Sequence, residues 1–211
     1  QLLRAGLYWP DLETPDIGAL RDIWQNAAPV AVVTFYKALV QAGTLAPIDA
    51  LIDALSARGV NPLPIYISSL KDPVSVELLT SICEEIAPSI VLNATGFAVS
   101  QPGAPRTQTA FDTMGCPVLQ IVLGGSTHAA WEANAQGLSP KDLAMNVVLP
   151  EVDGRILARA ISFKSEARYD PKTEISVAYH EAVPDRVDFT ADLAARWVRL
   201  SQTPAQDRRI A

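Results

Sequence analysis

The chain has 211 residues, with 17 basic and 23 acidic side chains, a net charge of −6, and 49% hydrophobic against 19% charged residues. That balance excludes a mainly disordered chain, and without a basic excess it disfavours a partner held through a nucleic-acid backbone. No run of 18 apolar residues occurs, which excludes a transmembrane helix; together with the acidic balance, neither a membrane nor a nucleic acid is expected among its partners.

A chain of this length buries roughly 70% of its extended surface without metal or disulfide staples. Its two cysteines, Cys83 and Cys116, form no Cys-x-x-Cys pair and read as packed core, which fits a reducing, cytoplasmic setting. Gln1 opens the chain with no Met and no apolar leader, so the sequence reads as a piece of a larger polypeptide.

Residues 1–28 read as a lead-in with one short helix near Ile17–Gln25, and residues 29–211 as a single α/β domain. Val30–Tyr36 is a continuous, partly β-branched apolar run, the pattern of a strand buried on both faces. Ile48, Leu51, Ile52 and Leu55 form one helical face that Pro47 opens and Gly59 closes. Leu63, Ile65 and Ile67 alternate as a strand, and Pro62 and Pro64 place it at a sheet edge because they lack N–H donors. Asp72-Pro73 starts a helix with Leu79, Ile82, Cys83 and Ile86 inward, and Ser89–Ala94 is the next strand. A Gly/Pro-rich loop over Thr95–Arg106, a short helix to Met114 and a strand over Pro117–Leu123 follow, ending in Gly124-Gly125-Ser126.

This alternation predicts an open, mainly parallel, flavodoxin-like sheet flanked by helices, with strand order 2-1-3-4. Beyond it, Ser139 caps a helix start with Asp142, and Asp153-Gly154 is a turn. Ile156–Phe163 and Ile175–Tyr179 make a small C-terminal strand pair, joined by the polar stretch Lys164–Glu174. A terminal helix over Asp185–Leu200 presents Phe189, Leu193, Trp197 and Leu200 on one side, and the polar tail after Ser201 frays.

In such sheets ligands bind beyond the carboxyl ends of the strands. That places Tyr36, Asn93 and Thr95 at a pocket between the loops Ala38–Thr44 and Gly96–Arg106. No Gly-x-x-x-x-Gly-Lys-(Ser/Thr) and no Gly-x-Gly-x-x-Gly occurs, so the chain carries no nucleotide-hydrolysing P-loop. Gly124-Gly125-Ser126-Thr127 fits either an anion nest or a plain strand-to-helix turn. His128 and His180 lack metal-ligand spacing and read as surface or cap residues. Glu151 and Asp153 share one tight turn with Arg155, where carboxylates take protons or hold divalent cations; a solvated hairpin with an internal ion pair fits the same spacing. Glu132 beside Trp131, and the basic stretch Arg155, Arg159, Lys164 and Arg168, fit either a site or a solvated face.

Several segments in fixed order resemble the large subunit of aerobic cobaltochelatase, CobN, and more distantly the H subunit of magnesium chelatase. They are Phe35-Tyr36, Gln41-Ala42-Gly43, Ala46–Leu51, Ser68–Pro73, Leu92–Phe97, Pro117–Gln120, Trp131-Glu132, Gly137–Pro140, Leu149–Gly154 and Trp197–Leu200. The resemblance implies one domain of a much larger subunit. That subunit inserts Co²⁺, the substrate metal, into hydrogenobyrinic acid a,c-diamide during cobalamin biosynthesis. An AAA+ ATPase subunit and a companion subunit use ATP and Mg²⁺, and other domains of the same large subunit complete the site. It also implies roles: Glu151 and Asp153 as general bases, Glu132 and Glu151 as metal ligands, and Arg155 and Lys164 gripping corrinoid carboxylates, with Asn93, Thr95 and Tyr36 also in substrate binding. Two competing readings stand beside it: a flavodoxin-like binding module, and a non-catalytic scaffold that docks the ATPase.

Overall fold

The computed structural model describes residues 2–165, 168–170, 175–177 and 179–208. In chain order the elements are β1 (Ala5–Leu7), α1 (Ile17–Ile23), β2 (Val30–Tyr36), α2 (Lys37–Ala42), α3 (Ala46–Ser56), β3 (Asn61–Ile67), α4 (Pro73–Ile86) and β4 (Ile90–Asn93). Then come β5 (Val118–Thr127), α5 (His128–Glu132), α6 (Pro140–Leu143), a π-helical turn (Ala144–Val148), α7 (Leu149–Val152), β6 (Ile156–Lys164), β7 (Arg168–Asp170), β8 (Ile175–Val177), β9 (His180–Ala182) and α8 (Pro184–Gln202).

Seven strands form one sheet in the order β1-β3-β2-β4-β5-β6-β9. The five central strands run parallel, and β1 and β9 close the two edges antiparallel. The doubly wound arrangement follows from β2. Ala31, Val33 and Phe35 face the layer of α3 and α8, while Val32 faces the layer of α1 and α4, and all four are fully buried. An uninterrupted apolar run is what a strand covered on both faces requires.

The order 2-1-3-4 holds for the strands it covered, but the edge placement of the proline-bearing strand does not. β3 lies between β1 and β2. The Asn61 N–H donates to the Pro29 carbonyl beside β2, so strand alternation turns the nitrogens of Pro62 and Pro64 toward the other side. On that side β1 pairs only with Ile65–Ile67. The proline carbonyls there are still used: Pro64 accepts from the Tyr8 N–H and Pro62 from the Trp24 indole. The prolines thus limit β1 to three residues without forbidding it. The segment read as a lead-in is therefore joined to the sheet through β1, and through α1 it buries Leu20.

Three further differences have local causes. Gly124 and Gly125 lie inside β5, not beyond it, because β5 and β6 extend past their neighbours. There a Cβ on residue 124 would sit 2.7 Å from the Phe163 ring. Ile156–Lys164 joins the main sheet parallel to β5, and the small two-stranded sheet is instead β7 with β8. Parts of the expected connection, residues 166–167 and 171–174, lie outside the described residues, as do Ala178 and the end of the tail at 209–211. Finally, α8 buries Val187, Ala191, Ala194 and Val198 against α3, leaving Phe189 and Leu200 exposed. Small side chains let the two helices approach closely, so the alanine face turns fully inward, while Leu193 and Trp197 of the bulky set stay partly buried beside it. Arg159 covers the exposed Phe189 ring, its guanidinium carbon 3.5 Å from the centroid.

Two substitutions test this assignment by urea unfolding. Ala194→Leu is expected to cost about 1–3 kcal/mol by overpacking. Phe189→Ser is expected to cost less than about 1 kcal/mol, the scale of an exposed cation–π contact. The reverse ranking would mean that α8 packs through its bulky stripe.

Candidate functional site

Beyond the carboxyl ends of β2, β3 and β4 lies a cavity of about 310 Å³. Tyr36, Ser69, Lys71, the loop from Gly96 to Pro102, Leu149 and Arg155 line it. Its position is the one an open parallel sheet predicts. The loop Ala38–Thr44 is not part of it, since most of that stretch is wound into α2.

One carboxylate shapes the cavity wall. Gly154, at φ +76°, ends α7 in a tight turn that holds Asp153 beside Arg155. Asp153 accepts the N–H groups of Val99 and Ser100 at 2.8 and 2.9 Å and the Arg155 Nη2 at 2.7 Å. Both side chains of the ion pair are 1% exposed. The turn is thus neither solvated nor a hairpin: it joins α7 to β6 and fastens the 96–102 loop across the sheet end.

Behind it runs a buried polar chain. Thr34 Oγ1 donates to Asn93 Oδ1 (2.7 Å), and Asn93 Nδ2 donates to Gln120 Oε1 (2.8 Å) and to the Thr95 carbonyl (2.9 Å). Gln120 Nε2 donates to the same Thr95 carbonyl at 3.0 Å. Arg155 Nη1 reaches the Thr95 carbonyl and Gln120 Oε1 only at 3.4 Å, and Arg155 Nε has no partner among the described residues.

The electrostatics follow from burial and these donors. Burial by itself would raise the Asp153 carboxyl, but the Ser100 and Val99 N–H groups and Arg155 outweigh it and hold it below the ordinary carboxylate range. Burial lowers the Arg155 guanidinium, opposed by Asp153. Burial raises the Tyr36 phenol, whose hydroxyl donates to the Gly96 carbonyl at 3.2 Å.

The expected site residues therefore divide. Tyr36 and Arg155 line the cavity. Asn93 and Thr95 are buried in the polar chain behind it and position its floor. Asp153 is committed to three donors, which leaves Glu151, exposed one turn away, as the freer carboxylate of the pair. Lys164 and Glu132 lie elsewhere. Lys164 ends β6 opposite His180, so roughly 25–30 Å of extended strand separates it from Arg155. Glu132 is exposed on α5, 3.6 Å from His128 Nε2. His128 stacks on Trp131, while His180 sits in β9 with Nδ1 3.3 Å from Ser162 Oγ. Among the described residues no three His, Cys, Asp or Glu side chains lie close enough to hold a metal ion.

Sequence reading missed Lys71 and Gln120, and took Phe97 only as one residue of the pocket loop Gly96–Arg106. Gln120 left a signal, a polar residue inside an apolar strand run. Phe97 left none, because nothing in its neighbours announces a φ of +62°.

The Asp153–Arg155 pair yields a pH test. A depressed carboxylate stabilises the fold fully above its unfolded pKa, near 4, and loses that contribution as pH falls through its own lower value. Asp153→Asn, which strands a buried guanidinium, is expected to cost about 3–5 kcal/mol at pH 7. The gap from the parent should narrow at pH 3 when both are unfolded in urea. A gap independent of pH would contradict the pairing.

The family CobN/Magnesium Chelatase matches residues 1–211. The aerobic cobaltochelatase subunit CobN of Sinorhizobium sp is 49% identical over 218 aligned residues, covering 100% of this chain and 17% of that protein. The CobN protein of Pseudomonas aeruginosa is 38% identical, with 100% and 17% covered. The magnesium-chelatase H protein of Rhodobacter capsulatus is 25% identical over 97% of this chain and 18% of its own length. Among solved structures, the catalytic subunit of cobaltochelatase from Mycobacterium tuberculosis superposes with a TM-score of 0.76 at 29% identity, covering 99% of this chain and 17% of that one. The chain thus spans 17% of the length of the two curated cobaltochelatase relatives. With the match running along every residue, the chain belongs to the CobN/magnesium chelatase family.

Proposed function

We propose that this chain is one domain of the large, tetrapyrrole-binding subunit of an ATP-dependent cobaltochelatase. That subunit inserts Co²⁺ into hydrogenobyrinic acid a,c-diamide in cobalamin biosynthesis, in the cytoplasm, as a metal-inserting ligase. The observation that carries the cobalt assignment is the contrast in identity. The CobN subunits match at 49% and 38%, whereas the magnesium-chelatase H subunits match at 25–27%. ATP and Mg²⁺ are used by an AAA+ subunit and its companion, in keeping with a chain that has no P-loop.

The chemistry makes two demands on the large subunit. Each ring N–H that gives way to the metal loses a proton, so a base must stand within hydrogen-bond reach. The arriving cation needs oxygen or nitrogen donors that release it readily. Glu151 is the carboxylate here with capacity for either task, while Asp153 orients Arg155. A tetrapyrrole with its peripheral acids needs several times the 310 Å³ of the cavity. This domain therefore holds part of the substrate and the rest of the polypeptide completes the enclosure, so the isolated chain is inactive. Lys164 and Glu132 meet the substrate or the metal only from the far end of β6, together with groups from other domains.

The test uses the full-length subunit with its two partner subunits and ATP. Co²⁺ insertion into hydrogenobyrinic acid a,c-diamide is expected, and Mg²⁺ insertion into protoporphyrin IX is not; the opposite pattern would assign the chain to magnesium chelatase. In the same assay Glu151→Gln is expected to lower turnover about 100-fold, the range of a lost general base. Substrate affinity should stay within a factor of two. Unchanged turnover would remove Glu151 from the mechanism.

A further inference from the structure

Phe97 is the outlier of the cavity wall. Its φ is +62°, a conformation costly for a bulky side chain, and its side chain is still 49% exposed. The backbone is fixed in that state from outside the loop. The Phe97 N–H donates to the Met145 carbonyl at 2.7 Å, within the π-helical turn 144–148. Gly96 is pressed so close to that turn that a Cβ would lie 2.8 Å from Asn146 Oδ1. Single π-helical turns and strained residues gather where a ligand is handled. Neither the strain nor the exposed ring is explained by packing, since an aromatic half in water stabilises the fold little and glycine would hold the same φ without cost.

The other walls hold a guanidinium already paired with Asp153 and a free ammonium. Arg155 is 3% exposed, with Nε unpartnered and Nη1 held only by the two 3.4 Å contacts. Lys71 is exposed across the cavity and pairs with no carboxylate among the described residues. An aromatic face beside an exposed ammonium suits a planar apolar ring that carries acids on its rim.

Resting on the proposed function, we infer that this cavity seats one carboxylate-bearing edge of the tetrapyrrole, with Phe97 against the ring, Lys71 on the acid and the buried Arg155–Asp153 pair holding the wall behind them. Phe97 and Lys71 are then binding residues for the substrate, and the φ of +62° is what aims the phenyl ring out of the loop and over the cavity mouth.

Phe97→Gly separates a structural from a ligand role, because the two roles predict opposite directions. In the full-length subunit it should melt no lower than the parent, since glycine relieves the backbone. Its affinity for hydrogenobyrinic acid a,c-diamide, read from the pigment's absorbance on titration, should fall about threefold to tenfold. Phe97→Leu should lose affinity to a similar degree. Lys71→Gln should lose about twofold to fivefold and bind with a weaker dependence on salt. If the parent binds and all three variants bind as tightly, the edge seat is overturned while the proposed function stands. If the parent itself binds no corrinoid, both fall.

Discussion

Putting two opposite charges where only 1% of either side chain meets water is costly, and Asp153 and Arg155 do so at the junction of α7 and β6. The arrangement persists because each charge is satisfied from several directions. Two loop N–H groups and a guanidinium meet the carboxylate. The guanidinium in turn extends, at longer range, to the carbonyl of Thr95 and the side chain of Gln120. Removing either partner leaves an isolated buried charge, which is why so much local geometry depends on the pair. It sets the path of the 96–102 loop, the depth of the cavity and the entry of the chain into β6.

Register carries this constraint into the sheet. Asn93 pairs with Thr34 on one side and Gln120 on the other, so the three polar side chains stand in one row across β2, β4 and β5. A row of polar side chains inside an otherwise apolar sheet is tolerable only when fully bonded, and such a network rigidifies what it supports. The result is a firm floor beneath a mouth that carries the one exposed aromatic of the loop, Phe97, and the exposed ammonium of Lys71. Pre-formed polar floors with an apolar rim are how binding sites limit the entropy lost on association.

The layered fold was readable because its signals are local and periodic. The double-faced apolar run of β2, the helical face Ile48-Leu51-Ile52-Leu55 and the Asp72-Pro73 cap each contain their own evidence. What was not readable depends on approach between distant segments. The alanine face of α8 buries because α3 comes close, and no feature of α8 alone reports that. The prolines of β3 were rightly denied a donor, but whether a third strand uses their carbonyls is decided by residues 5–8. At the site, the Glu151–Arg155 turn was visible as charge in sequence. Its burial was not, because the donors come from Val99 and Ser100, more than 50 residues away. The basic stretch Arg155 to Lys164 fitted either a grip or a solvated face, and an extended strand carries its ends apart.

The central claim is that the substrate meets this domain at the cavity fastened by the Asp153–Arg155 pair. Amide hydrogen exchange on the intact large subunit, with and without saturating hydrogenobyrinic acid a,c-diamide, tests it without altering a residue. The account predicts new protection within this chain centred on residues 69–71, 96–102 and 149–155, with the helix pair α3 and α8 unchanged. Protection confined to α3, α8 or the far ends of β5 and β6, with residues 96–102 exchanging as before, would contradict it.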